Sequence, residues 1–220
     1  MPRMDRPAFR ETSRPWIRCE RVDAGDARRA EVESFIAHVY RARYDAQLRS
    51  FLPHLLAFRD HSDRLRAAVG LRTGDEGPLF LEQYLDLPAE AAIARHGRRV
   101  ASRSQLVEVG NLAALRGGDA RALIEHLTEA LHAAGLHWVL FTATRQVRNA
   151  FDRLHLDTVV LADAERARLR DDPSDWGRYY EVQPKVLFGD LAAGRAFLQA
   201  RGRTAPRPSG CPGVTAEALA

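Results

Sequence analysis

Two glycines between arginines form the first feature of this sequence that suggests ligand binding. Residues 116–121 read Arg-Gly-Gly-Asp-Ala-Arg and precede a run with helical spacing. Glycines ahead of a helix let backbone N–H groups point at an anion, and the helix start adds partial positive charge. The segment is a candidate cradle for a phosphate or pyrophosphate, although a plain glycine turn has the same composition.

Glu108 lies in the apolar run just before this segment, QLVEVGNLAAL (105–115). If the run is a strand, residues 106, 108 and 110 share one face, and an acid near the strand end lies beside the glycine segment. Such a carboxylate can act as a general base, directly or through water. The alternative is a structural ion pair with one of the many arginines.

A possible site for an ammonium group lies upstream, in FLEQYLD (80–86). Glu82 and Asp86 are spaced by four, so on a helix they would share a face. That face would be either an acceptor-ammonium site, with Tyr84 between the two acids, or a solvated acidic patch.

Aromatic residues cluster in two places. Trp176, Tyr179 and Tyr180 follow a polar turn, and Tyr40 and Tyr44 are one turn apart on a predicted helix. Each group suits either the wall of an acceptor pocket or ordinary core packing.

Hydrophobic periodicity predicts the elements that position these residues. The predicted strands are 16–22, 54–60, 65–74, 105–115, 137–144, 157–164 and a last one within 176–191. The predicted helices are 26–44 behind an Asp26 cap, one in 82–97 that begins after a start signal at Pro88, 121–135, 147–156 and 192–202. The strand–helix–strand order is typical of a βαβ crossover and indicates an α/β fold. We expect one domain over 16–202, with residues 1–15 and 203–220 lacking fixed structure.

Composition excludes several classes of protein. The chain has 220 residues, 45% of them apolar, and a net charge of +4. Its basic residues are interleaved with 29 acidic ones, so nucleic-acid binding is not expected. The apolar runs are far shorter than the roughly 20 residues that cross a bilayer. We expect a cytoplasmic protein without stable membrane insertion, and the histidine spacing predicts no metal site.

Residues 105–162 resemble the acyl-CoA-binding core of the GNAT-type N-acyltransferase superfamily. That superfamily has a Q/R-x-x-G-x-G/A loop between a strand and a long helix, and Gly118 and Ala120 match its last two fixed positions, with Leu115 at the Q/R position. Asn149 matches the superfamily's asparagine. Phe151 occupies the place of the tyrosine that often protonates the departing thiolate, and a phenyl ring has no proton to donate.

A more specific resemblance covers Phe35 to Gly189. The strings LFLEQYLD, VEVGNLA, FTAT, RNAFDRLHL and WGRYYEVQPKV are similar to the thermostable hemolysin family. Its members resemble both GNAT enzymes and acyl-homoserine-lactone synthases in their core. In those synthases a Glu-x-x-Arg element ends the strand before the cofactor loop, and here Glu108 and Asn111 fall at the corresponding positions.

The resemblance implies an α/β GNAT-like acyl-CoA N-acyltransferase fold, with a central twisted mixed sheet flanked by helices. It implies transfer from acyl-CoA, or from the acyl-phosphopantetheine of an acyl carrier protein, to a small amine or amino-acid-derived acceptor in specialised metabolism. Glu108 would be the base, and Asn111 and Asn149 would orient substrate or cofactor. The expected donor-binding residues are Leu112, Ala113, Leu115, Arg116, Gly117, Gly118, Asp119, Ala120 and Arg121; the expected substrate-binding residues are Tyr40, Glu82, Tyr84, Trp176 and Tyr179.

Two alternatives remain open from the sequence. The inherited family name implies a membrane-acting lytic protein, which would need an exposed amphipathic helix or barrel-forming strands. The departures at Leu115 and Phe151 also fit a cofactor-binding domain that has lost catalysis.

Overall fold

One mixed sheet organises the chain. The computed structural model describes residues 16–202 except 99, 101 and 171, so the predictions for 1–15 and 203–220 lie outside the described residues. Seven strands pair in the order β1-β2-β3-β4-β5-β7-β6. They are β1 (Arg18–Val22), β2 (His54–Arg59), β3 (Leu65–Thr73), β4 (Leu106–Ala114), β5 (Trp138–Ala143), β6 (Val159–Asp163) and β7 (Lys185–Asp190).

The β4–β5 pair is parallel and the other pairs are antiparallel. A parallel pair needs a crossover, and the helix between β4 and β5 supplies it. This confirms the expected α/β architecture.

Alternating side chains divide the sheet into two buried faces. We call one face the α1 face. Three strand residues on it pack against α1 (Arg29–Tyr44), namely Leu55, Ala57 and Ala68, and two pack near α2 (Ala89–Ala94), namely Leu106 and Leu140. On the other, which we call the α3 face, strand residues including Val109 and Phe141 pack against Leu123, Leu127 and Leu131 of α3 (Gly117–Ala133). The helices α4 (Arg145–Leu154) and α5 (Leu191–Ala200) follow β5 and β7. Among the described residues, none of the helices combines the length and the apolar character that crossing a bilayer requires.

A bulge interrupts β4 at the level of the candidate residues. Ala68 pairs with Ala113 and Gly70 with Gly110, so Asn111 and Leu112 together oppose a single residue of β3. Asn111 has a left-handed φ of 50°, which asparagine tolerates better than most residues. Beyond the bulge β4 no longer pairs with β5, because their pairing covers Leu106–Val109 alone. The two parallel strands therefore diverge after Val109.

Two opposed glycines make room at this bulge. A Cβ on Gly70 would lie 2.8 Å from the Asn111 Oδ1 atom and 2.9 Å from the Leu52 Cβ atom, and a Cβ on Gly110 would lie 2.9 Å from the Leu52 Cδ1 atom. Asn111 Oδ1 in turn accepts a hydrogen bond of 2.9 Å from the Leu52 N–H. The chain between α1 and β2 is thereby held against the bulge.

Two local predictions are confirmed and one was wrong. The helix expected after Pro88 is α2, and a 3-10 helix over Phe80–Tyr84 precedes it, because proline disfavours helix in the residue before it and fits a helix start. The last strand expected within 176–191 is β7, which begins after the left-handed Gln183. The start of α1 was wrong: the helix begins after Arg28, and the predicted cap Asp26 accepts the N–H of Arg28 instead.

Candidate active site

A cavity of about 290 Å³ lies where β4 and β5 diverge. Side chains from both faces of the sheet line it: Arg72 and Glu108 come from the α1 face, and Val109 and Phe141 from the α3 face. The cavity therefore passes through the sheet. Such an opening lets two molecules approach each other from opposite faces.

Glu108 is the buried acid of this cavity, with 3% of its surface exposed. Its two carboxylate oxygens accept hydrogen bonds from the N–H groups of Phe80, at 2.7 Å, and Leu81, at 2.9 Å. Burial raises the pKa of Glu108 to about 7, although the two N–H groups and the positive charge of Arg72 oppose the shift. A carboxylate with this pKa can accept a proton near neutral pH and keeps lone pairs for a further donor.

Arg72 is the partner of Glu108 in the β3–β4 register and also lines the cavity. Its Nη1 atom donates to the Pro78 carbonyl at 3.1 Å. Sequence reasoning missed this residue. The strand prediction for 65–74 contained it, but a local pattern does not give the register that sets it opposite Glu108.

Aromatic rings form the wall of the cavity on the α1 face. Tyr44 and Tyr179 meet edge to face with centroids 5.2 Å apart, and Phe80 and Trp176 lie 5.8 Å apart. Tyr84, whose hydroxyl is 2.5 Å from that of Tyr180, extends this wall. The predicted residues Tyr40, Tyr84, Trp176 and Tyr179 are brought together here, and all of them line the cavity.

The half of the cavity on the α3 face is apolar. Ile124, Leu127 and Leu131 of α3 face Val139 of β5 across it. Phe151 stacks on Phe141 with centroids 4.7 Å apart and rings 10° from parallel. Phe151 is thus a wall residue, and this part of the cavity suits a hydrocarbon chain.

Thr142 and Thr144 also line the cavity, and both were missed by sequence reasoning. Their hydroxyl oxygens are buried, and within the described part of the chain neither has a hydrogen-bond partner. Because buried hydroxyl groups are normally paired, these two groups are available to a bound ligand.

The glycine segment is the first turn of α3 and not a loop, which corrects the expected boundary. Leu115 and Arg116 alone connect β4 to the helix. Gly117 and Gly118 are exposed, and a Cβ on either would meet nothing within 4 Å, so a ligand has room beside the first N–H groups, which no helix can pair internally. This arrangement fits the phosphates of an acyl-CoA or phosphopantetheine donor.

The other expected donor-binding residues lie around this turn. Arg116 and Arg121 are exposed, and Asp119 is buried and paired with Arg66 at 3.1 Å. Leu115 is half exposed, whereas Ala120 packs against the core. In β4, Leu112 lines the cavity and Ala113 is buried beneath α1.

Two of the expected residues lie elsewhere. The Glu82 carboxylate accepts hydrogen bonds from the N–H groups of Leu79 and Ala89 and pairs with Arg103 at 2.8 Å. Burial raises its pKa, but these partners outweigh it and hold the pKa below the usual value. Glu82 therefore lies outside the cavity lining, with its carboxylate bound by these partners. Asn149 is exposed on α4 and does not line the cavity, whereas Asn111 does.

In the part of the chain that the structure describes, no group of three His, Cys, Asp or Glu side chains could hold a metal ion.

Comparisons with known proteins agree with this architecture. The family model described as thermostable hemolysin matches residues 22–195. No curated protein matches the sequence.

Solved structures give a wider set of similar folds. The CoA-dependent acyl-homoserine lactone synthase BjaI, solved with SAM and isopentyl-CoA, is 12% identical, with a TM-score of 0.55 over 91% of this chain and 97% of its own. The AHL synthase LasI is 13% identical, with a TM-score of 0.52 over 79% and 88%. The N-acyl amino acid synthase FeeM, from uncultured soil microbes, is 10% identical, with a TM-score of 0.54 over 84% and 99%. The fold is that of GNAT-like acyltransferases, as expected from the sequence.

Proposed function

This chain belongs to the thermostable hemolysin family, and we propose that it is an acyltransferase. It moves an acyl group from acyl-CoA or an acyl carrier protein to a small amine or amino-acid-derived acceptor. The observation that carries the proposal is the position of Glu108, a buried carboxylate with a pKa raised to about 7, in a cavity that passes through the sheet. A general base needs this proton affinity and access to the reacting atoms.

The donor would occupy the opening between β4 and β5. Its phosphates would lie at the first turn of α3, where the two glycines leave room for a ligand. Its acyl chain would enter the apolar half beside Leu127 and Phe141, because apolar surface favours that environment over water. The acceptor would approach on the α1 face, beside Glu108 and the aromatic wall.

Transfer then needs one base and one proton for the leaving group. As the neutral acceptor nitrogen bonds to the thioester carbon, Glu108 takes a proton from that nitrogen, the C–S bond breaks, and the sulfur leaves as a thiolate that takes a proton from water. Glu108 returns its own proton to solvent before the next turnover. Phe151 has no proton to give. The buried hydroxyls of Thr142 and Thr144 line the cavity without partners among the described residues, so either can donate a hydrogen bond to the departing sulfur.

The named neighbours support the proposal by analogy. BjaI is described as CoA-dependent, and FeeM as an N-acyl amino acid synthase. Because function belongs to the site and not to the fold, the experiment must be made on this protein.

The test is thermal stabilisation by CoA, acetyl-CoA, octanoyl-CoA and dodecanoyl-CoA, since a ligand that binds the folded state raises the melting temperature. We expect the shift to increase with chain length, and thiol release to begin when a mixture of amines and amino acids is added. Carrier-protein thioesters are tested in parallel. Dye release from liposomes without any donor, combined with no thiol release from either donor class, would instead favour a membrane-acting protein.

A further inference from the structure

Arg72 and Glu108 form an unusual pair within the cavity. They are opposite each other in the antiparallel β3–β4 register, where Cβ atoms are about 5 Å apart. Yet no carboxylate among the described residues forms an ion pair with Arg72, and its one protein hydrogen bond in that part of the chain goes to the Pro78 carbonyl. Other inward-facing arginines are paired, such as Arg59 with Glu20 and Arg66 with Asp119.

Backbone hydrogen bonds explain why Glu108 does not form an ion pair with Arg72. Both oxygens of Glu108 are held by the N–H groups of Phe80 and Leu81, so the carboxylate is fixed by the segment that follows β3. A guanidinium stays charged at every relevant pH and presents several donors in one plane. The N–H donors of Arg72 that do not bind the Pro78 carbonyl are therefore available to an anion in the cavity.

We propose that Arg72 binds a carboxylate of the acceptor, and that the acceptor is an α-amino acid or a compound with the same adjacent amine and carboxylate. This inference rests on the proposed acyl transfer and names the chemical class of its acceptor. One carbon separates the two groups in an α-amino acid, which suits neighbouring positions on two paired strands. The amine would face Glu108 while the carboxylate lies on the Arg72 guanidinium, as carboxylates commonly do.

The location of Arg72 favours binding of the acceptor over binding of the donor's phosphates. Arg72 shares the α1 face with Glu108, whereas the first turn of α3 lies on the other face. Arg43, a second guanidinium that lines the cavity, donates to the Ala114 carbonyl at 2.7 Å, whereas Arg72 lies directly opposite Glu108 in the β3–β4 register. Arg72 is therefore the guanidinium beside the candidate base.

The test compares each common α-amino acid with its amide, which keeps the amine and loses the negative charge. Thiol release from octanoyl-CoA and from an octanoyl carrier protein measures transfer, and calorimetry measures acceptor binding with and without CoA. We expect amino acids to be used and their amides to have a KM about 10- to 100-fold higher, because a charged hydrogen bond is lost. Arg72→Gln should raise the KM for the amino acid by a similar factor, leave kcat less changed, and leave the amide almost unaffected.

Arg72→Lys tests the geometry, since lysine keeps the charge without the planar fork, and it should recover part of the affinity. Arg153→Gln, on the exposed surface of α4, is the matched control and should behave as the wild type. Equal use of amides and amino acids, or an equal effect of Arg72→Gln on both, would overturn the inference. A complete absence of thiol release would refute the proposed transfer instead, and calorimetry would still decide whether Arg72 binds amino acids.

Discussion

The Glu108 carboxylate accepts a hydrogen bond from the Phe80 N–H, 2.7 Å away, which ties the candidate base in β4 to the aromatic segment that covers it. This hydrogen bond fixes the position of the carboxylate and lowers its pKa, but not enough to abolish its basicity near neutral pH. Burial remains the larger influence and raises the pKa of Glu108 to about 7.

The rate of transfer should therefore depend on pH near neutrality. The deprotonated form of Glu108 is the active one, so kcat/KM, calculated on the concentration of the neutral amine, should rise about tenfold per pH unit below 7 and level off above it. The profile is measured between pH 5.5 and about 8, below the titration of most amines. A flat profile over this range would remove Glu108 as the base.

Stability should show the opposite dependence. The folded-state pKa of Glu108 is raised from 4.5 to about 7, so its stabilising contribution is complete below pH 4.5 and is lost as the pH rises through about 7. Denaturant unfolding should show the free energy of unfolding of the wild type falling relative to Glu108→Gln by about 3 kcal/mol across this window. Comparing the two proteins cancels the carboxylates whose pKa values are lowered. A constant difference would contradict the shift.

The glycine pair at the bulge predicts an order of destabilisation. Gly70→Ala places a Cβ against the Asn111 Oδ1 atom and the Leu52 Cβ atom, neither of which moves freely. Gly110→Ala meets the end of the Leu52 side chain, which can rotate. We expect a loss of about 1–3 kcal/mol for Gly70→Ala and a smaller loss for Gly110→Ala, measured by chemical unfolding. The reverse order would show that the bulge is not held by Leu52 and Asn111.

The apolar half of the cavity should set acyl-chain length. Leu127→Phe enlarges a side chain between α3 and β5, so turnover of dodecanoyl donors should fall about tenfold or more while that of acetyl donors changes little. Leu127→Met, which nearly conserves volume, is the control. An equal loss for both donors would indicate damage to the fold and not a shorter tunnel.

The sequence predicts some parts of this site and not others, for physical reasons. Alternation along 105–115 sets Glu108 on one face, and helical spacing brings Tyr40 and Tyr44 together, because both patterns are local. The pairing of Arg72 with Glu108 depends on the β3–β4 register, which in turn depends on a bulge at Asn111. No local pattern contains that information.

Two predicted site residues lie outside the cavity lining, and the reason is again tertiary. The spacing of Glu82 suggests a ligand site, but its carboxylate is used by Arg103, 21 positions along the chain. Asn149 matches a family position and yet lies on the exposed side of α4. Tertiary contacts set the positions of both residues, and a local pattern does not contain them.

The most direct test of the central claim is thiol release by Glu108→Gln, measured together with donor binding. Glutamine keeps one acceptor oxygen for one of the two N–H groups of Phe80 and Leu81 but sets its own NH2 against the other, so chemical unfolding must first show that the variant is folded. Glu108→Asp provides a second variant, which keeps two acceptor oxygens on a shorter side chain. The account predicts that turnover falls roughly 10²- to 10⁴-fold in Glu108→Gln while the affinity for acyl-CoA, or for the acyl carrier protein, stays within about twofold. Unchanged turnover with intact donor binding would contradict it.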